Sequence, residues 1–258
     1  MKIAFFSDIH ANLPALQAVL NDIDQQKPDS VYCLGDLVGY NIWPDEVTEE
    51  IRKRHIPTLA GNYDEGIGLH SDDCGCAYKD EVEKANGAVS IAFTNQKATE
   101  KTRTYLRSLP RHLSIKFRFA DRDLKLLMVH GSPRKINEYL FEDRPEKSLM
   151  RILEDSDADI LLFGHSHKPF HRKLSYNTLE EKEAERHAIN IGSVGKPKDG
   201  DPRACYLIME FDTRLETTDP EAIRVTFRRV EYDIEKAAVA VEKSELPNAY
   251  AKALREGK

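Results

Sequence analysis

No stretch of this chain approaches the roughly 18 consecutive apolar residues that a membrane-spanning helix requires. The N-terminal MKIAFFSDIH reaches charge too soon to hold the core of a signal peptide. No membrane partner is expected, and the sequence reads as cytoplasmic. The four cysteines in 258 residues are too few for a disulfide framework. Cys33 and Cys205 sit in the apolar runs VYCLG and ACYLIM, where a small buried hydrophobe is the expected role. Cys74 and Cys76 stand in a polar loop, but two thiols alone cannot complete a tetrahedral metal site. Basic excess is missing as well: 38 Lys and Arg face 44 Asp and Glu, with no long basic block. A stable nucleic-acid partner is therefore not expected, although a local basic pocket for a phosphate is compatible with this balance. Internal repeats, low-complexity tracts and long linkers are absent too, so a single domain over 1–258 is expected.

With 40% hydrophobic and 32% charged residues, the chain can bury a core and remain globular. KIAFFS predicts a strand, and ANLPALQAVLNDIDQQ a helix with Leu13, Leu16, Val19, Leu20 and Ile23 on one face. SVYCLG predicts the next strand, PDEVTEEIRKRH a helix with acids first and bases last, and IPTL a third strand. That alternation implies a parallel sheet with right-handed crossovers. Asn62 to Tyr78 reads as a long irregular loop and hence a functional segment. Two helices, KDEVEKANGAVSIAFTNQ and ATEKTRTYLRSL, follow, so a loop and helical insertion is expected over about 66–108. HLSIKFRFADRDLKLLMVH reads as a hairpin turning at Asp121-Arg122-Asp123. A helix (PEKSLMRILEDS), the strands ADILLFG, HAINIG, ACYLIMEF and AIRVTFRRV, and a tail of two helices parted near Pro247, over about 232–258, complete the chain. Two packed sheets with helices outside would bury these elements.

Five predicted strands or hairpins end in metal-capable side chains: Ser7-Asp8-Ile9-His10, Gly35-Asp36, Gly61-Asn62, His130-Gly131 and Gly164-His165-Ser166-His167. Ligands in open α/β sheets collect beyond the carboxyl ends of the strands, so the five groups could meet in one cleft. Each alone reads as a turn or a helix cap, whereas the set would need repeated coincidence. Carboxylates, an amide oxygen and imidazoles in this number exceed one tetrahedral ion and suit two ions sharing a bridge. Mixed O and N donors favour borderline metals over Ca.

At these residues the sequence resembles the calcineurin-like metallophosphoesterase superfamily. Its ordered signature appears as SDIH, LGDLVG, AGNYDE, MVHG and FGHSH. SDIHANLPAL, GDLVGY and NIGSVGKPKDGDPRA further resemble a bacterial and archaeal branch of small phosphodiesterase-like members. The resemblance implies an α/β fold, a four-layer α/β/β/α sandwich of two mixed β-sheets flanked by helices. It implies that Asp8, His10 and His167 hold one metal, that Asn62, His130 and His165 hold the other, and that Asp36 bridges them. Two divalent ions are expected, drawn from Mn, Fe, Zn or Ni. The implied activity is hydrolysis of a phosphodiester or small phosphorylated metabolite by in-line attack of a metal-bridging hydroxide, with Asp36, Asn62 and His130 as the catalytic residues.

The chain departs from the family pattern at Tyr63, where many members place a His that acts on the leaving group. A phenol of pKa about 10 is a poor acid at neutral pH, though it can donate a hydrogen bond. Candidates for contact with the substrate are then Tyr63, His70, Arg134 and Lys135, together with Lys196, Lys198 and Arg203 in a Gly-rich segment that suits an anion nest. Of these, Lys198 is expected to be a solvated surface base and His70 an exposed loop histidine instead. Tyr40 and Trp43 could stack on a nucleobase or pack over the sheet edge. Asp64 and Glu65 could support a metal ligand or only shape the turn. The expected partner is a small-molecule phosphate ester, and homo-oligomerisation is left open. The alternatives are a phosphoprotein phosphatase or phosphomonoesterase with the same site, or a non-catalytic scaffold like the retromer subunit of this fold.

Overall fold

The computed structural model describes residues 1–177 and 183–258. Strand β1 (Lys2–Phe6) leads into helix α1 (Leu13–Gln26), which starts where Asn12 Oδ1 accepts the Ala15 N–H at 3.2 Å and Pro14 sets the first turn. Strand β2 (Ser30–Cys33) and helices α2 (Pro44–Lys53), α3 (Asn62–Gly68), α4 (Glu81–Lys97) and α5 (Glu100–Ser108) follow. Next come β3 (His112–Arg118), β4 (Asp123–Val129), α6 (Glu146–Asp155), β5 (Ile160–Phe163), β6 (Phe170–Asn177) and β7 (Glu183–Asn190). The chain ends with β8 (Ala204–Phe211), β9 (Ile223–Val230), α7 (Ile234–Glu242) and α8 (Asn248–Glu256).

Two mixed sheets result. One has the order β2-β1-β8-β9, with β1 parallel to β2 and antiparallel to β8, and the other the order β3-β4-β5-β7-β6, with β4, β5 and β7 parallel. Period-two alternation assigns each strand's two faces to different cores. Ile3 and Phe5 of β1 meet Leu126 and Met128 of β4 and Ile160 and Leu162 of β5 between the sheets. Ala4 and Phe6 instead face Leu16, Val19 and Leu20 of α1, while Leu127, Leu161 and Phe163 face Leu149 and Ile152 of α6. The layering is helix, sheet, sheet, helix. Each fully buried Leu, Ile or Phe in these cores contributes roughly 1.5–3 kcal/mol. Among the described residues no helix is long and apolar enough to cross a membrane.

Three local expectations are corrected. IPTL does not form a strand: its pairing with β2 is a single bridge, Cys33 to Thr58, because Pro57 has no N–H and the Ala60 N–H goes to Pro110 O at 2.8 Å. The loop expected from Asn62 begins as helix α3, since the Asp64 carboxylate caps its start by accepting the Gly61 N–H at 2.9 Å. Strand β6, unforeseen, is an edge strand on which only Phe170 and Leu174 are buried, and β7 starts well before HAINIG.

Candidate metal centre

Asp8 and His10 follow β1, Asp36 follows β2, His130 follows β4, and His165 and His167 follow β5. Because β1 and β2 are parallel, as are β4 and β5, these ends point to one edge of the sandwich. The loops are fastened to one another by main-chain bonds. Asp8 N–H donates to Gly35 O at 2.9 Å and His10 N–H to Asp36 O at 2.9 Å, while Gly164 N–H donates to His130 O at 2.9 Å. Asp8, His10, Asp36, His165 and His167 all take left-handed φ between 49° and 64°. Such strain costs about 1–3 kcal/mol per residue and persists where function requires it.

Two buried groups have donor atoms within 4.8 Å of one another: Asp8, His10 and His167 form one, and Asp36, His130 and His165 the other. Asp36 Oδ2 lies 3.6 Å from His10 Nε2 and 3.3 Å from His130 Nε2, between the groups, while its Oδ1 accepts the Tyr63 N–H at 2.9 Å. Asp8 Oδ1 is 3.2 Å from His167 Nε2. Asn62 joins the second group, with Oδ1 3.1 Å from His130 Nε2, and its orientation is set by Nδ2 donating to Cys74 O at 2.8 Å. His10, His130 and His167 spend Nδ1 on the carbonyls of Val38, Leu34 and Lys196, at 3.0, 2.9 and 2.6 Å, so each presents Nε2 inward.

The charge balance fits cations. Burial, followed by repulsion from Asp36, raises the Asp64 carboxyl to about 7, and burial raises that of Asp8. Burial would raise Asp36 too, but the neighbouring His130 holds it well below the usual carboxylate range. Burial would lower His130, yet Asp36 carries it up to about 10. Burial and the nearby His130 push His165 down to about 3, burial and Lys198 push His167 well down, and burial lowers His10. Neutral imidazoles are the form that binds metal. His165 Nε2 is buried with no hydrogen-bond partner among the described residues, an orphan that a ligand or ion would satisfy.

Glycines make room for the carboxylates. A Cβ on Gly61 would stand 2.0 Å from Asp36 Oδ1, and one on Gly164 would stand 2.3 Å from Asp8 Oδ2.

The structure thus brings together all seven residues expected to ligate metal. Of the expected substrate contacts, Lys196 lies beside them, its ammonium 4.7 Å from the centre of the Tyr40 ring. Lys198, expected at the surface, is half-buried, with its N–H 3.4 Å from His167 O. Burial lowers the pKa of both lysines. Tyr63 is fully buried, its ring edge-on to His10 at 5.5 Å and its hydroxyl without a partner among the described residues, and burial raises the phenol far above its ordinary pKa. His70, Arg134 and Arg203 are not brought to the cluster. His70 is exposed beyond the end of α3, Arg134 is paired with Glu138, and Arg203 is paired with Asp201 at 2.6 Å. Lys135 is exposed. The expected backbone nest is also spent: the N–H groups of Gly192, Val194, Gly195 and Lys196 donate to Asn190 Oδ1, Ser7 O, Asp8 O and Ser193 Oγ. Tyr40 packs edge-on against His10 at 4.8 Å, and Trp43 packs on the helical tail.

Several supports went unforeseen. Ser193 Oγ donates to Asp8 O at 2.8 Å, and Asn190 Nδ2 donates to Gly164 O at 2.7 Å. The polar interruption of the apolar run INIGSV was the available signal. Cys76 Sγ sits 3.3 Å from Asn62 Nδ2, and Tyr139 packs on His165 with ring centres 4.0 Å apart.

Residues 1–214 match the calcineurin-like phosphoesterase superfamily domain. The chain is 35% identical over 254 residues to an uncharacterized protein of Methanocaldococcus jannaschii, an alignment covering 95% of this chain and 93% of the other. Among solved structures it is similar to a metallophosphoesterase from Sphaerobacter thermophilus, with a TM-score of 0.74 and 30% identity, covering 100% of this chain and 99% of that one. A hypothetical protein from Pyrococcus horikoshii gives a TM-score of 0.76 at 23% identity, covering 100% and 98%, and bears on the fold alone.

Proposed function

The chain belongs to the calcineurin-like phosphoesterase superfamily, and from that premise we propose that it is a dinuclear metal-dependent phosphoesterase that hydrolyses a phosphodiester or small phosphorylated metabolite. Asp8, His10 and His167 would hold one ion, Asn62, His130 and His165 the other, with Asp36 between them. The observation that carries this reading is the position of Asp36 Oδ2, 3.6 Å from His10 Nε2 and 3.3 Å from His130 Nε2, so that both groups of donors share one oxygen. A bound pair of divalent cations supplies Lewis-acid stabilisation of phosphoryl oxygens and activation of water.

The chain's own residues do the positioning. The Tyr63 N–H holds Asp36 Oδ1 at 2.9 Å, which commits Oδ2 to the shared position. Cys74 O fixes the Asn62 amide with its oxygen inward, and the backbone carbonyls bonded to Nδ1 fix three imidazoles in one tautomer. Tyr63 keeps its proton throughout the neutral range and its hydroxyl is buried, so the departing group takes its proton from elsewhere, water included.

The test is metal analysis of the purified protein combined with turnover of a generic aryl diester and a generic aryl monoester. Bound divalent metal with diester turnover supports the reading, preference for the monoester moves the assignment to a phosphatase, and no turnover with any divalent metal moves it to a scaffold.

A further inference from the structure

Lys196 and Lys198 lie on the connection between β7 and β8, which is fastened to the candidate metal centre through His167. His167 Nδ1 donates to Lys196 O at 2.6 Å, and Lys198 N–H donates to His167 O at 3.4 Å. The ammonium of Lys196 stands 4.7 Å from the centre of the Tyr40 ring and 5.8 Å from that of Tyr250, which α8 contributes from the tail. Tyr40 touches the centre on its other side, packing edge-on against His10 at 4.8 Å, and its hydroxyl is 3.9 Å from Cys76 Sγ. Lys196 and these aromatic rings therefore form one wall beside the seven candidate ligands, and Lys198 follows two residues later on the same segment.

Neither lysine has an ion-pair partner among the described residues, although Lys79, Lys101, Lys173 and many arginines do. Of the acids whose charge reaches these lysines, Asp8, which reaches Lys198, belongs to the candidate metal centre, and Glu83, which reaches both, is engaged by the Lys79 N–H at 3.0 Å and the Lys79 ammonium at 3.6 Å. Two half-buried lysines two residues apart on one segment, neither in an ion pair among the described residues, are an unfavourable arrangement that an anion would relieve. Tyr40 and Tyr250 offer cation–π contact to Lys196 only. With the amides of the Gly192–Lys196 segment already spent, any anion here is met by side chains.

We propose that Lys196 and Lys198 form an anion subsite beside the metal centre, selecting phosphate compounds that carry a second anionic group besides the phosphoryl group that is cleaved, as phosphoanhydrides and phosphorylated diesters do. The proposal rests on the phosphoesterase reading for the cleavage itself. Two divalent ions exceed the charge of the Asp8 and Asp36 carboxylates, and two ammonium groups add to that excess. A monoanionic diester leaves such a site short of negative charge, whereas a second phosphate faces the lysines.

The test compares the metal-loaded protein with its Lys196→Gln, Lys198→Gln and Lys198→Arg variants. Two probes are used: turnover of bis(4-nitrophenyl) phosphate, a monoanion, and calorimetric binding of α,β-methylene-ADP, which carries adjacent phosphate-like groups and resists cleavage between them. In each Gln variant, the affinity for the analogue is expected to fall by at least about tenfold more than kcat/KM for the aryl diester, as loss of a charge-assisted hydrogen bond implies. Lys198→Arg is expected to recover most of the binding. Equal losses with both probes, or unchanged binding of the analogue, would overturn the subsite. If the wild-type protein holds metal but cleaves neither the aryl diester nor an aryl monoester, the phosphoesterase reading fails, and the calorimetric comparison still decides the lysine subsite by itself.

Discussion

Replacing Gly61 by Ala isolates the steric demand of the Asp36 carboxylate. Gly61 has φ of −88° and ψ of 173°, which alanine adopts without strain, so only contacts change. The added Cβ would stand 2.0 Å from Asp36 Oδ1, 2.3 Å from Asp36 N and 2.6 Å from Asp36 Cγ, where ordinary contact begins at 3.4 Å. The carboxylate must withdraw by roughly 1.4 Å, and Oδ1 then loses the Tyr63 N–H that it accepts at 2.9 Å. Overpacking of this kind costs about 1–3 kcal/mol, and an orphaned buried amide costs about 1–3 kcal/mol more. Gly61→Ala is therefore expected to lose about 2–6 kcal/mol in urea denaturation with chelator present, a large share of the roughly 5–15 kcal/mol of a typical domain. The folded variant should also hold less metal in calorimetric titration. Gly200→Ala is the control: its Cβ would meet nothing within 4 Å, although φ is +87°, so it should cost about 1–2 kcal/mol and leave metal binding intact. A Gly61→Ala protein within about 0.5 kcal/mol of wild type and with unchanged metal content would refute the reasoning.

Asp64→Ala removes the carboxylate that accepts the N–H groups of Leu37 at 2.8 Å and Gly61 at 2.9 Å, and the two orphaned donors predict a loss of about 2–4 kcal/mol by chemical denaturation. Away from the metal centre, His171 Nε2 and His187 Nδ1 lie 2.9 Å apart, and burial holds these rings down at about 4 and about 3, against 6.5 when solvated. Below pH 6.5 the unfolded chain binds protons that the folded pair refuses, so stability present at neutral pH is lost as pH falls toward 4. Between about pH 6.5 and 5 the loss is on the order of 2 to 4 kcal/mol, read from denaturation midpoints, and His187→Phe should flatten the slope.

The residues of the candidate metal centre were legible because their signal is local. Asp8, Asp36, His130 and His165 each break an apolar strand at the end where parallel strands discharge into a cleft, so each pattern can be read without knowing its partners. Helix α3 was hidden because its start depends on one long-range fact: the Asp64 carboxylate bonds the Leu37 N–H as well as that of Gly61, holding the segment against the β2 loop. Strand β6 escaped because Phe170 and Leu174 recur at a helical spacing on an edge strand. Substrate contacts were least legible. A lysine such as Lys198 or an arginine such as Arg203 looks alike in sequence, and only the fold decides that one joins the cluster through His167 while the other turns to Asp201. Tyr63 stands where the family pattern has a reactive side chain, yet here its ring packs against His10 and Tyr40.

The central claim is that Asp36 would hold both ions of a dinuclear metal centre. Elemental analysis of wild-type and Asp36→Asn protein after loading with a divalent metal, with aryl diester turnover measured on the same samples, tests it most directly. Two ions per chain in the wild type, with loss of metal in Asp36→Asn and a fall in turnover of about 100-fold or more, is the result predicted for a carboxylate that holds both ions. Full turnover with two bound metals in Asp36→Asn would contradict it.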